Sequence, residues 1–203
     1  EENSQIKLLQ EIEIPLSRVL ASMENIGFKV DPKGIEDYGN ILDGKIDTLR
    51  QAIYDKVGYE FNINSPKQLG SALFEKLMLP VGKKTKSGYS TSADVLEGLR
   101  SYNPVIDEIL EYRTLSKLKS TYCDGLLKVI AEDGRIHSNF NQTETRTGRI
   151  SSTEPNLQNI PVRTEVGKEL RRFFCAKEGS VLVDADYSQI ELRVLADISA
   201  DSE

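Results

Sequence analysis

Apolar residues recur at helical spacing through the first 130 residues of the chain. A first stripe covers residues 14–26 and ends at Gly27, where a left-handed C-terminal cap is expected. Asp31 followed by Pro32 is typical of an N-cap with proline at the first helical position. The helix that begins there carries its apolar stripe to a stop at Gly58. The pattern therefore predicts two helices joined by a short turn.

Three more helical segments are predicted before residue 132. The first begins at Ser65 and Pro66, with Gln68 placed to complete a capping box. Residues 80–92 are polar and rich in lysine, glycine and serine, which predicts a loop, and a short helix follows at 93–100. A longer helical stretch then opens near residue 104 and runs towards residue 131.

The period of the pattern changes near residue 133. Asp133-Gly134 is a tight-turn dipeptide, and residues 135–142 then alternate as in a strand, with Ile136, Ser138 and Phe140 on one face. Residues 180–186 read as an apolar strand, and a helix is expected from residue 188. Helices first and strands later predict an α+β fold, with a mainly helical part at 1–131 and an incomplete sheet at 132–203.

Composition narrows the class of protein. Hydrophobic residues make up 38% of the chain and charged residues 29%, as in a globular protein. No apolar run approaches the roughly 18–20 residues that a membrane span needs, and the first residues lack the features of a secretory signal. Cys123, Cys175 and the single histidine, His137, are too few for a disulfide framework or a zinc site. We therefore expect reduced thiols in a cytoplasmic protein without a membrane partner.

Charge is distributed unevenly. The net charge is −6 for the whole chain, but −5 for residues 1–60, +5 for residues 61–177 and −6 for residues 178–203. By composition alone, the basic middle segment is an ordinary solvated surface. The positions of its cations are more informative than their number, because they cluster at 113–119 and in the loop-rich stretch 146–172. This placement favours a polyanionic partner.

The strand predicted at 180–186 ends at Asp186, which carries a carboxylate. The chain then continues into the helix expected to begin at Ser188. A carboxylate at a sheet edge can hold Mg²⁺ against phosphate oxygens, although such a connection is also an ordinary structural feature. Asp184 lies two residues earlier and on the same strand face, so the pair could pass for a two-carboxylate site. His137, on the polar face of its strand, is interpreted as a polar group or one that faces the polyanionic partner, and not as a general base.

Several segments together carry a resemblance. The letters DYSQIELR at 186–193 resemble motif A of the family A DNA polymerases, the DNA polymerase I group, at every position. Residues 147–152 and 155–161 resemble that family's signature between thumb and palm, and residues 133–137 and 140–142 precede it in the same order. Residues 62–69 and 117–122 resemble pieces of the thumb. The resemblance spans residues 11–200 and implies a thumb followed by the start of a palm.

The resemblance implies a role for each matching position. Asp186 would bind both catalytic Mg²⁺ ions, with the backbone carbonyl of Tyr187 as a further ligand, and Asp184 would be a bystander. Glu191 would crowd the sugar 2′ position and favour deoxynucleotides. Arg149 would reach the minor groove at the primer terminus, where all base pairs present similar acceptors. The other implied contacts are to duplex DNA (Asn156, Gln158), to DNA phosphates (Lys117, Lys119, Ser120, Thr121) and to the incoming nucleotide (Arg163, Tyr187, Ser188, Gln189, Ile190, Glu191).

The implied activity is template-directed addition of deoxynucleotides to a primer 3′ end, as in DNA replication and repair. Two-metal nucleotidyl transfer needs a second carboxylate, and the family places that residue and its fingers helix after motif A. We therefore expect a fragment that supplies the grip on primer–template DNA and one metal-ligand aspartate to the complete enzyme, and that is inactive alone. Two Mg²⁺ ions and deoxynucleoside triphosphates are expected to bind only in the complete enzyme. An isolated DNA-binding module and an inert helical scaffold are the alternatives.

Two further expectations accompany this reading. The related single-subunit RNA polymerases are disfavoured, because Glu191 fits deoxynucleotide selection. An incomplete sheet leaves unpaired edges and an uncovered apolar face, so we expect residues 133–203 to be poorly packed, rearranged or covered by a neighbouring copy of the chain.

Overall fold

The computed structural model describes residues 5–81, 88–162 and 164–200, together with the backbone of residues 84 and 85. The α-helices are α1 (Ile6–Leu8), α2 (Ile14–Ile26), α3 (Pro32–Val57), α4 (Pro66–Ser71), α5 (Ala93–Glu97), α6 (Val105–Leu118), α7 (Gly125–Leu127), α8 (Glu165–Arg171) and α9 (Ile190–Ser199). The strands are β1 (Phe28–Lys29), β2 (Lys84–Thr85), β3 (Gly88–Tyr89), β4 (Arg135–Ile136), β5 (Asn139–Asn141) and β6 (Ser151–Thr153). Within these ranges no helix is both long enough and apolar enough to cross a lipid bilayer.

In the part of the chain that the structure describes, three π-helical turns interrupt the helices. They lie at Leu9–Glu13 between α1 and α2, at Ala72–Lys76 after α4, and at Lys119–Asp124 between α6 and α7. A π turn closes hydrogen bonds one residue wider than an α turn, so the side chains that follow it face a different direction.

The core is built on the pairing of α3 with α6. Leu42 and Ile53 of α3 and Ile106 and Ile109 of α6 are completely buried. Their spacing matches the apolar stripes of the sequence, which place one face of each helix towards the other. The same apolar cluster continues into the second part of the chain through residues such as Leu170.

The predicted helix ends are confirmed at three positions. Gly27 ends α2 with a φ of 62° and a ψ of −175°, so the helix end is confirmed, whereas the left-handed conformation expected for its cap is not adopted. Asp31 caps α3, since its carboxylate accepts a hydrogen bond from the Gly34 N–H at 3.0 Å. Gly58 ends α3 in the left-handed conformation, with a φ of 89°.

The capping box predicted at α4 forms in one direction. The Ser65 hydroxyl accepts a hydrogen bond from the Gln68 N–H at 3.4 Å. The Gln68 side chain does not return to Ser65 but accepts the N–H of Asn62 at 2.7 Å. The glutamine therefore fastens the preceding turn, which also satisfies an otherwise unpaired backbone donor.

The sheets are small antiparallel pairs: β1 with β4, β2 with β3, and β5 with β6. Helices followed by short strands confirm the predicted α+β class. Strand β1 precedes the helical body and β4 follows it, and Phe28 lies opposite Ile136. The Asp31 N–H also donates to the Phe173 carbonyl at 2.8 Å. Contacts thus cross residue 131, and the division into parts 1–131 and 132–203 stays a prediction.

Burial confirms the alternation predicted for residues 135–142 only as far as residue 139, since Phe140, Asn141 and Gln142 are all half-buried. Ile136 and Ser138 are buried, whereas Asn139 is exposed. The strand is broken in two, because β4 ends at Ile136 and β5 begins at Asn139. Pairing to two different partners explains the break: β4 pairs with β1, and β5 pairs with β6.

The strand predicted at 180–186 is wrong. Residues 180–186 belong to no strand, and the side chains of Val181 and Val183 are 81% and 84% exposed. An apolar run becomes a strand only when a neighbour pairs with its N–H and C=O groups, and no described segment does so here. The expected poor packing holds for residues 177–200, all of which are exposed, and is wrong for the buried Ile136, Ile160 and Leu170.

Candidate nucleic-acid interface

Residues 184–189 form an exposed segment that turns at Ser188 and Gln189 and leads into α9. Gln189 adopts a left-handed conformation with a φ of 54°, which is uncommon for a residue with a side chain. The Arg193 Nε donates to the Ser188 carbonyl at 2.9 Å and closes the turn. The side chain of Tyr187 is 81% exposed, and Asp186 and Ile190 are exposed as well. The turn therefore presents its polar groups to solvent.

Arg149 lies in the loop between β5 and β6. Gly148, with a φ of 75°, makes the backbone turn just before it. The Thr145 hydroxyl donates to the Arg149 carbonyl at 2.5 Å, and the Gln158 side-chain amide donates to the Ile150 carbonyl at 2.9 Å. These two hydrogen bonds hold the backbone carbonyls of Arg149 and Ile150 and leave the Arg149 side chain 75% exposed.

Arg149 and Glu191 form an ion pair across the interface. The Arg149 Nη2 donates to the Glu191 Oε1 at 2.7 Å, and both side chains are largely exposed, at 75% and 69%. The pKa of the Glu191 carboxyl lies below its ordinary value because of a hydrogen bond from its own backbone N–H and, next, because of Arg149. Two positions that the sequence predicts separately are therefore in direct contact.

Asn156 and Gln158 belong to one turn. The Asn156 side-chain oxygen accepts the Gln158 N–H at 3.0 Å, and the Gln158 side chain supports Ile150 as described above. Each of these side chains thus already uses one of its hydrogen-bonding groups within the loop. Their predicted contacts with duplex DNA stay predictions.

Ser152 is a completely buried hydroxyl that organises this loop from below. Its Oγ accepts the Leu157 N–H at 3.3 Å and donates to the Pro155 carbonyl at 3.2 Å. The Ser138 hydroxyl, also buried, donates to the same Pro155 carbonyl and lies 3.3 Å from the Ser152 hydroxyl. The hairpin and the loop that carries Asn156 are therefore held by one buried polar cluster.

The predicted phosphate-binding residues lie at the junction of α6 and its π turn. Lys117, Ser120 and Thr121 are exposed. Lys119 is different, since its amino group lies between two carboxylates, 2.9 Å from Asp124 and 3.2 Å from Asp43. The hydrogen bond to Asp124, and then that to Asp43, raises the pKa of the lysine. Lys117 is the freer of the two lysines for a phosphate.

Tyr122 joins the two predicted surfaces, and no role was predicted for it. It lies on the π turn that also carries Lys119, Ser120 and Thr121, and its hydroxyl donates to the Asn159 carbonyl in the loop that follows β6. The side chain is 8% exposed, so the contact forms in a largely dry environment. The sequence shows that Tyr122 lies near several cations, but residue spacing gives no indication of its distant partner, Asn159.

The predicted metal ligands do not amount to a magnesium site. Among the described residues, no group of three or more histidine, cysteine or carboxylate side chains could hold a metal ion. Asp186 is one exposed carboxylate beside the Tyr187 carbonyl. Two-metal chemistry needs at least a second converging carboxylate. Arg163, the predicted nucleotide contact, lies outside the described residues.

Comparison with known proteins identifies the class. The family profile described as DNA polymerase family A matches residues 33–203, which is most of the chain. The chain therefore belongs to DNA polymerase family A, as the sequence motifs predicted.

Individual relatives are similar over nearly the whole chain. It is 56% identical over 200 residues to DNA polymerase I of Lactococcus lactis subsp. cremoris and 57% identical over 202 residues to DNA polymerase I of Bacillus caldotenax. Each alignment covers 98% of this chain and 23% of the relative, so the chain spans about a quarter of the length of these proteins.

A solved structure shares the fold. The POL domain of Pol1 from M. smegmatis, in complex with DNA primer-template and dNTP, superposes with a TM-score of 0.86 at 45% identity. The match covers 97% of this chain and 35% of that one.

Proposed function

We propose that this chain forms the duplex grip and one wall of the nucleotide site of a template-directed DNA polymerase. Family membership supports the reaction class, and the similar M. smegmatis structure is a complex with primer-template and dNTP. The observation that carries the proposal is the 2.7 Å contact between Arg149 and Glu191. It brings together a cation suited to DNA and the carboxylate next to the proposed nucleotide position.

The proposed role of Arg149 follows from its donors and its exposure. A guanidinium can donate to the purine N3 and pyrimidine O2 acceptors that all base pairs share in the minor groove, so it can test pairing geometry without reading sequence. The ion pair with Glu191 is exposed, and exposed pairs contribute little stability. Arg149 can therefore leave Glu191 for an acceptor on DNA at a small cost in free energy. Glu191 is then free to crowd the sugar 2′ position.

The proposed phosphate grip lies on Lys117, Ser120 and Thr121, with Lys119 in a supporting position. Phosphate contacts position a duplex without reading its sequence, and they weaken with salt because counterions are released. Lys117 is exposed, whereas Lys119 must first leave Asp43 and Asp124. We expect Lys117 to contribute more to the salt dependence of binding.

The chain alone is proposed to lack polymerase activity. Asp186 and the Tyr187 carbonyl are proposed as part of a Mg²⁺ site to which other carboxylates must contribute. Nucleotide binding through the segment that includes Arg163 is likewise proposed only for the complete enzyme. Template-dependent extension of a primer by the highly purified chain would contradict this.

The test is binding of a fluorescent primer–template duplex across a salt series. We expect log K to fall with log[salt] at about −0.9 per phosphate neutralised. Arg149→Ala should weaken binding by about tenfold, and Lys117→Ala should reduce the slope by about 1. Arg100→Ala is the matched control, because this arginine lies outside both cation clusters, is also paired with a carboxylate, Glu97, and is 50% exposed.

The outcomes separate the alternatives. Weaker binding by Arg149→Ala with unchanged binding by Arg100→Ala supports a grip that works in this chain. Equal loss in both variants would indicate a non-specific electrostatic surface. No binding at low salt would make the chain a scaffold and contradict the proposed grip, while family membership would stand.

A further inference from the structure

His137, the chain's single histidine, lies between two hydrogen-bond acceptors. Its Nδ1 is 2.7 Å from the Glu24 carbonyl in the last turn of α2, and its Nε2 is 3.2 Å from the Asp133 Oδ2. A backbone carbonyl has no proton to donate, and an ionised carboxylate has none either. Neutral imidazole carries one N–H and can satisfy one of them, whereas imidazolium satisfies both.

We propose that His137 is a proton-dependent latch that fastens the end of α2 to the turn before β4. In the protonated state the ring donates to Glu24 and to Asp133. When the proton leaves, one of the two contacts loses its donor, and α2 is held by fewer hydrogen bonds. This device does not depend on the proposed polymerase role.

The charged groups around the ring come from each element packed against it. Asp133 in the preceding turn attracts the imidazolium, and Arg135 on β4 repels it. The Arg135 guanidinium donates to the Ile26 carbonyl at 2.6 Å and to the Gly27 carbonyl at 3.2 Å. The carboxylate of Glu24, on α2, already accepts the Phe140 N–H at 2.7 Å.

Two cations thus serve the carbonyl end of one helix. The last carbonyls of a helix lack partners within it, and the helix end favours positive charge. The pKa of His137 is accordingly raised above its ordinary value of about 6.5, first by the hydrogen bond to the Glu24 carbonyl and then by Asp133, with Arg135 opposing.

The ring is also held by close packing against Gly27. A Cβ added at Gly27, where φ is 62°, would lie 2.7 Å from both the Cε1 and the Nδ1 of His137. The space beside the ring is therefore open only to a glycine. This contact keeps Nδ1 directed at the end of α2, so the protonation state of the ring can change while its orientation stays the same.

The latch holds a helix that clasps the hairpin carrying Arg149. Besides the Glu24 contact with Phe140, the Gln142 side chain donates to the Glu13 carboxylate at 2.8 Å. Both Phe140 and Gln142 lie at or next to β5, which pairs with β6. Loss of a hydrogen bond at His137 should therefore first lower the amide-exchange protection of Phe140.

The direction of the pH effect follows from the raised pKa. A group whose pKa is higher in the folded state contributes stability that is fully present below its unfolded value, about 6.5. That contribution is lost as the pH rises through the folded pKa. The latch is therefore closed in mildly acidic solution and opens on the alkaline side.

The first measurement is an NMR titration of the His137 Cε1–H in the full chain, from about pH 5 to about pH 9. With a single histidine the resonance needs no assignment by mutation. We expect a pKa above 6.5, and proton-coupled nitrogen spectra should show both ring nitrogens protonated below it. A pKa at or below 6.5 would overturn the proposal.

The second measurement separates a latch from a merely exposed histidine. Amide-exchange protection at Phe140, corrected for the intrinsic pH dependence, should fall as the pH passes the His137 pKa. Asp133→Asn should lower that pKa by about 0.5 unit or more. The control Asp55→Asn removes a carboxylate on α3 that pairs with Gln51 and should leave the pKa unchanged. Protection at Phe140 that is independent of pH, or equal shifts in both variants, would contradict the latch.

Discussion

The α3–α6 pair and the segment 177–200 use similar side chains in opposite ways. Leu42 and Ile109 are completely buried, whereas Leu195 and Ile198 are 61% and 77% exposed. Both α6 and α9 are helices with apolar residues at helical spacing. Apolar periodicity therefore predicts that a helix forms, but burial depends on whether another element of the chain is available to cover it.

The largest expected effect contrasts the two regions directly. Ile109→Ala removes buried atoms at the α3–α6 contact and should lower the free energy of unfolding by about 2–5 kcal/mol. Val183→Ala removes atoms that are already in water and should change it by less than about 0.5 kcal/mol. Urea unfolding of both variants measures the difference. Equal losses would show that the segment 177–200 packs in solution.

A smaller effect tests whether the hairpin belongs with the buried region. Ser152→Ala leaves the Leu157 N–H without its acceptor in a buried setting and should cost about 1–3 kcal/mol. Ser90→Ala, at a serine whose hydroxyl bonds only weakly at 3.4 Å to Ser92, serves as the comparison. If both substitutions are neutral in urea unfolding, the hairpin opens independently of the core.

The cap of α3 should rank below the buried cluster. Asp31→Ala removes the acceptor for the Gly34 N–H at the helix start and should cost about 1 kcal/mol. Asp31→Asn retains a side-chain oxygen and should recover most of that loss. A full loss in both variants, measured by thermal or urea unfolding, would indicate that charge and not capping stabilises this end.

The smallest effect concerns the ion pair between Arg149 and Glu191. Both side chains are exposed, so Glu191→Gln should change the free energy of unfolding less than Asp31→Ala does. Differential scanning calorimetry at low and high salt checks this. A larger change, or one that persists at high salt, would mean that the pair anchors α9 to the hairpin loop.

Local signals carried much of the fold prediction. Gly27, Asp31 and Gly58 were identified from sequence because a cap is determined by its own residue and its immediate neighbours. The change of period at Asp133 and Gly134 was read correctly for the same reason, and Gly134 has a φ of 75°. Such features need no knowledge of the rest of the chain.

Contacts between residues that are distant in the sequence could not be predicted from it. Residues 181–183 have the composition of a strand, but pairing is a property of two segments and not of one. Lys119 looks like a free cation in sequence and is instead held by Asp43 from another helix. Motif resemblance located Arg149 and Glu191 but gave no sign that they touch.

The π turn at Lys119–Asp124 has a consequence for insertions and deletions. It holds one residue more than an α-helical path would, and one residue corresponds to about 100° of rotation about the helix axis. Within this turn Tyr122 reaches Asn159 while Cys123 faces the interior beside Gly39. Loss of a single residue here would regularise the helix and turn one of these side chains away from its partner. The extra residue is thus the reason that one helix can serve two surfaces, and sequences that keep both contacts must keep its length.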